Sequence, residues 1–106
     1  MKGWLQKKGG SKGGRRNWTR RWFVLTGNGE LQYFKDPGDT KEKKAIPLAD
    51  CSALRMTSHK DKVFCIAFEV SETTSGKGVE KFTHILAADT RTDAEDWFEA
   101  LRLWFA

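Results

Sequence analysis

Eight cations and no carboxylate occupy the first twenty-one residues: Lys2, Lys7, Lys8, Lys12, Arg15, Arg16, Arg20 and Arg21. Gly9, Gly10, Gly13 and Gly14 are threaded among them. The chemistry open to such a set is capture rather than conversion. Ammonium and guanidinium donors grip closely spaced negative charge, and glycine lets backbone N–H groups approach an anion. Bond-making has no comparable support. His59 lies in the turn-like run Ser58-His59-Lys60-Asp61-Lys62 and is expected to be solvated. His84 alternates within a strand pattern and reads as a structural histidine with satisfied hydrogen bonds. No spacing suggests a Ser/His/Asp set, a Cys/His set or a carboxylate pair for acid/base work. The glycines lack the spacing and the strand–loop–helix setting of a nucleotide-phosphate loop. Cys51 and Cys65 sit in apolar strand-like segments without a CxxC or a His pair, and read as reduced core thiols of an intracellular protein. The expectation is a binding module, not an enzyme, with no cofactor and no metal.

A capture site needs rigid walls, and the hydrophobic pattern provides strands. The basic run from Lys8 to Asn17 lies between Trp4-Leu5 and Trp22-Phe23-Val24-Leu25, so it reads as a loop held by two strands. Seven short strands are predicted, over residues 3–8, 18–26, 30–35, 45–48, 52–57, 63–70 and 81–88. Gly27-Asn28-Gly29 marks a hairpin, because Asn and Gly accept positive φ, and Asp36-Pro37-Gly38-Asp39 marks a turn. The polar run 71–78 reads as a loop. The period then changes. Ala94, Trp97, Phe98, Leu101, Trp104 and Phe105 recur at helical spacing, and Thr92-Asp93-Ala94-Glu95 supplies a capping box. Trp4, Phe64, Phe68, Phe82 and Trp97 are expected in the core. The predicted fold is mainly β with one C-terminal α-helix: a seven-stranded, bent antiparallel barrel or sandwich capped by that helix.

The 106 residues suit one domain over 1–106, and five tryptophans argue against disorder. No apolar run approaches the roughly 20 residues of a membrane span, and Met1-Lys2-Gly3-Trp4 leads into a strand without a secretory signal. Net charge is +5 but unevenly spread: twelve Lys/Arg against four Asp/Glu over 1–44, then seven against ten over 45–106. A positive end of this kind steers anionic partners such as nucleic acid, an anionic membrane or an inositol phosphate.

Alternation sharpens the picture. With Leu5 pointing inward, Lys7 lies on the same side one step nearer the loop. With Phe23 and Leu25 inward, Arg21 follows in the same way, and Leu31 and Tyr33 share a face on the next strand. The expected product is a cup with Lys7 and Arg21 on its floor, Tyr33 on its wall and the 8–16 loop as a flap. Trp22 and Val24 are apolar too, so hydrophobicity alone leaves the register of the second strand open.

Gly3-Trp4-Leu5-x-Lys7, the basic loop, Trp18-x-Arg20-Arg21-Trp22-Phe23-Val24-Leu25, Leu31-x-Tyr33-Phe34, Ile46-x-Leu48 and the helical Trp97 together resemble a pleckstrin homology (PH) domain across essentially the whole chain. The resemblance implies a bent seven-stranded barrel with a C-terminal helix. It also implies a phosphoinositide-binding module that recruits its parent protein from the cytoplasm to an anionic membrane surface, reversibly. Similarity to the subset that takes 3-phosphorylated lipids, the 3,4,5-trisphosphate or 3,4-bisphosphate, is carried by Lys7, Arg21 and Tyr33, with Lys43 or Lys44 as the basic residue after the third strand. Lys12, Arg15 and Arg16 on the flap add charge, Lys81 is a further candidate ligand, and Trp18 is a candidate membrane contact. One departure stands out: Thr19 occupies a position that is basic in that subset. The alternative reading is a protein-interaction module of the same fold with weak, non-selective lipid binding. A single-stranded nucleic-acid binder is a third class, and the expectation is against nucleic acid.

Overall fold

The computed structural model describes residues 1–8, 18–60, 62–74, 76 and 78–105. Seven antiparallel strands are present: β1 (Lys2–Lys8), β2 (Trp18–Leu25), β3 (Glu30–Phe34), β4 (Lys44–Pro47), β5 (Cys51–His59), β6 (Lys62–Thr74) and β7 (Gly78–Ala87). A 3-10 turn, Leu48–Asp50, joins β4 to β5, and the helix α1 (Arg91–Arg102) follows β7. All seven strands form one sheet, ordered β4-β3-β2-β1-β7-β6-β5. Its edges, β4 and β5, are not paired with each other, so the sheet bends around a core without closing.

The core is the inward row of each strand. Leu5, Phe23, Leu31, Ile46, Ile66, Phe68, Val70 and Leu86 meet Leu48 of the 3-10 turn and Trp97 and Leu101 of α1. Trp97 seals the layer: its ring lies 6.5 Å from Phe23 in an edge-on arrangement. It also covers Gly3, where a Cβ would sit 3.4 Å from the indole nitrogen. Phe23 is fully buried, which settles the register left open by Trp22 and Val24: Phe23 points in, and Trp22 points out.

Several expectations are corrected. Trp4, on the outer face, and Phe64, at the start of the β6 inward row, are half-buried and do not belong to the core. Trp4 packs edge-on against Trp22 at 5.4 Å, with the Arg20 guanidinium 4.9 Å from its ring, and Arg91 sits 6.0 Å from Phe64. A cation lies within cation–π range of each ring. The polar run 71–78 is not a loop, because β6 continues to Thr74 and β7 begins at Gly78, with Ser71 opposite Lys81 and Thr73 opposite Val79. The helix is capped by Thr90 rather than Thr92: the Thr90 hydroxyl accepts from the Asp93 N–H at 3.1 Å. Trp104 and Phe105 lie beyond α1. The Gly27-Asn28-Gly29 hairpin forms as expected, with Gly29 at φ +85°. Cys65 is buried and Cys51 half-buried, and both are free thiols. Burial, aided by Asp50, pushes the Cys51 thiol up to about 11.

Candidate functional site

β1 and β2 pair so that Gly3 faces Phe23, Leu5 faces Arg21 and Lys7 faces Thr19. Directly opposed residues share a face of the sheet. Leu5 and Phe23 are buried, so Lys7, Arg21 and Thr19 extend the inward row past its last apolar member. β3 contributes Tyr33, opposite Phe23. Lys43, just before β4, is held beside it by its N–H donating to the Tyr33 carbonyl at 2.8 Å. These five residues, Lys7, Thr19, Arg21, Tyr33 and Lys43, line one pocket of about 150 Å³.

The electrostatics of the pocket are unbalanced. Among the described residues, Arg20, Lys44, Arg55 and Arg102 each pair with a carboxylate, whereas Lys7, Arg21 and Lys43 have none within ion-pair distance. The Lys7 ammonium lies 5.8 Å from the Tyr33 ring centroid. Arg21 spends one donor on the Arg20 carbonyl, at 2.9 Å. Burial and then the Lys44 charge lower the Lys7 pKa, because both disfavour its charged form. An anion entering the pocket would reverse that penalty. The arrangement can hold negative charge.

Other candidates fall elsewhere. Lys44 lies opposite Tyr33 but pairs with Glu72 at 3.3 Å and does not line the pocket. Lys81 is exposed on β7 and is not among the lining residues. Trp18 is half-buried, edge-on to His59 at 6.0 Å, with the Lys62 ammonium 5.9 Å from its ring. His59 is accordingly half-buried, not solvated as expected. Lys12, Arg15 and Arg16, the flap cations, lie outside the described residues.

Two neighbours of the site were not placed beside it by the sequence. Glu72 is one, since its partner Lys44 is 28 positions away. His84 is the other. It is 3% exposed and stacks on Phe68 at 5.7 Å, and neither ring nitrogen has a hydrogen-bond partner among the described residues, which corrects the expectation of a satisfied histidine. Burial, then the Lys7 and Lys44 charges, bring its pKa down to about 4, with Glu72 opposing. Its position in the alternating row Phe82-His84-Leu86 was the available signal.

The PH domain family model matches residues 1–103. The chain belongs to the PH domain family. PH domains are non-catalytic, phosphoinositide-binding modules. A PH domain-containing protein of Dictyostelium discoideum is 38% identical over 100 residues, covering 94% of this chain and 19% of that protein. The mouse dual adapter for phosphotyrosine and 3-phosphotyrosine and 3-phosphoinositide is 32% identical over 102 residues, covering 94% of this chain and 31% of the adapter. This PH domain thus spans less than a third of the length of either relative. In structure it is similar to the Slm1-PH domain solved in complex with inositol-4-phosphate, with a TM-score of 0.75 at 17% identity, over 98% of this chain and 93% of that one. That likeness is one of fold. Among the described residues, no helix is long and apolar enough to cross a membrane.

Proposed function

We propose that this PH domain binds phosphoinositide headgroups in the Lys7–Arg21–Tyr33–Lys43 pocket and thereby recruits its parent protein to anionic membranes, favouring 3-phosphorylated lipids. The observation that carries the reading is three cations around one pocket that have no carboxylate partner among the described residues. Arg21 would grip one phosphate with paired donors, Lys7 and Lys43 would neutralise a second, and the Tyr33 hydroxyl would add a neutral hydrogen bond. Lys12, Arg15 and Arg16 would add positive charge toward the headgroup. Lys44 and Lys81 would add to the surrounding positive field, each juxtamembrane cation contributing about 1 kcal/mol against anionic lipid. Trp18, beside Lys62, would rest at the membrane interface. The mouse adapter, whose name specifies 3-phosphoinositide, supports the 3-phosphate preference.

Sedimentation with phosphatidylcholine–phosphatidylserine vesicles tests the reading. Vesicles doped with the 3,4,5-trisphosphate or 3,4-bisphosphate lipid should bind better than those carrying the 4,5-bisphosphate. Losing a charge-assisted contact worth about 1.5–3 kcal/mol, Arg21→Ala should weaken that binding about tenfold or more. Binding indifferent to inositol phosphorylation, or unchanged in Arg21→Ala, overturns it. Thr19 in the pocket lining, at a position that is basic in the 3-phosphoinositide-binding subset it resembles, favours the second reading, a protein-interaction module of the same fold. That reading calls for a partner retained when Lys7 and Arg21 are both replaced.

A further inference from the structure

Lys44 is displaced from the pocket its position would lead it to line. It lies directly opposite Tyr33, one of the pocket's lining residues, and so shares the inward face. It is close enough to Lys7 to oppose that residue's charge. Yet its ammonium sits 3.3 Å from the Glu72 carboxylate. Glu72 reaches it because β6 continues into the polar stretch, extending the inward row Ile66-Phe68-Val70 by one more member. Opposite Glu72 stands Glu80. The contact spans the open side of the sheet, joining edge strand β4 to β6.

We propose that Glu72 is a built-in counter-anion: a positioning residue that holds Lys44 off the pocket and so sets the pocket's selectivity for dianionic phosphomonoesters over singly charged anions. The proposal rests on the headgroup reading above. The side chains are 43% and 38% exposed, so the pair is solvent-screened and weak enough to exchange. A monoanionic phosphodiester or carboxylate that takes Lys44 from Glu72 exchanges one single charge for another and gains little. A phosphomonoester carries about −1.5 to −2 at neutral pH, so for it the exchange is favourable. The acidic residue therefore acts as a threshold: it suppresses association with a generic anionic surface more than association with an inositol polyphosphate.

The test compares two vesicle probes, phosphatidylcholine–phosphatidylserine with and without the 3,4,5-trisphosphate lipid, against wild type, Glu72→Gln, Lys44→Ala, the double variant and Arg21→Ala. A thermal melt confirms that each is folded. Freeing one half-exposed cation is expected to raise Glu72→Gln binding to undoped vesicles about two- to fivefold. Binding to doped vesicles should rise less, so the selectivity ratio falls. In the Lys44→Ala background the Glu72→Gln change should vanish. An unchanged ratio in Glu72→Gln, or the same change without Lys44, overturns the proposal. Arg21→Ala binding doped vesicles like wild type instead overturns the headgroup reading itself.

Discussion

At the scale of single residues, the site is defined as much by what its side chains lack as by what they touch. Arg20 and Arg21 are adjacent and chemically identical. Alternation sends Arg20 outward to Asp89 at 3.4 Å and Arg21 inward to the pocket, where it meets no carboxylate among the described residues. His84 follows the same logic for a neutral group. Its pKa of about 4 lies below the ordinary 6.5, so the unfolded chain takes up a proton on it at a higher pH than the folded one. The stability this contributes is complete above about pH 6.5 and is lost as pH falls through about 4. The loss should be on the order of 3 kcal/mol at most. Denaturant titrations across that window should show the decline in wild type and a shallower one in His84→Leu.

At the scale of elements, turns and caps fix the frame that presents these residues. Gly29 ends the β2–β3 hairpin at φ +85°, and a Cβ there would lie 2.9 Å from Trp104 Cε3. Gly29→Ala should cost on the order of 1–3 kcal/mol. Gly27→Ala, with open space around it, should stay within about 0.5 kcal/mol of wild type. Urea denaturation of both variants checks the contrast. The seven strands and the helix were legible in sequence because each carries an apolar row at its own period. Lys7, Arg21 and Tyr33 could be placed on one mouth because alternation propagates from buried Leu5 and Phe23. The long β6–β7 hairpin was not legible. Residues 71–78 are polar, and there the pairing rests on backbone hydrogen bonds that leave no hydrophobic signature. Thr90 and Thr92 are both followed three positions later by an acidic residue, Asp93 and Glu95, so spacing could not choose between two caps. Glu72 and the isolation of His84 depend on strands meeting across the sheet, which no local pattern records.

At the scale of the whole molecule, charge and cohesion are separated. Positive charge concentrates in residues 1–44, while residues 45–106 are net acidic. Long-range attraction to a membrane is screened by salt more readily than contacts inside a pocket. Raising ionic strength from about 0.1 M to about 1 M shortens the Debye length from about 10 Å to about 3 Å. Binding to phosphatidylserine vesicles should collapse over that range, while binding of the soluble 3,4,5-trisphosphate headgroup, followed by calorimetry, should fall less. β1 shows the separation within one strand. Gly3 lies beneath Trp97 at one end and Lys7 lines the pocket at the other, roughly 13 Å away at strand rise. Under the proposed reading, ligand preference can therefore be rewritten letter by letter at one pole, while the aromatic keystone at the other keeps the scaffold standing.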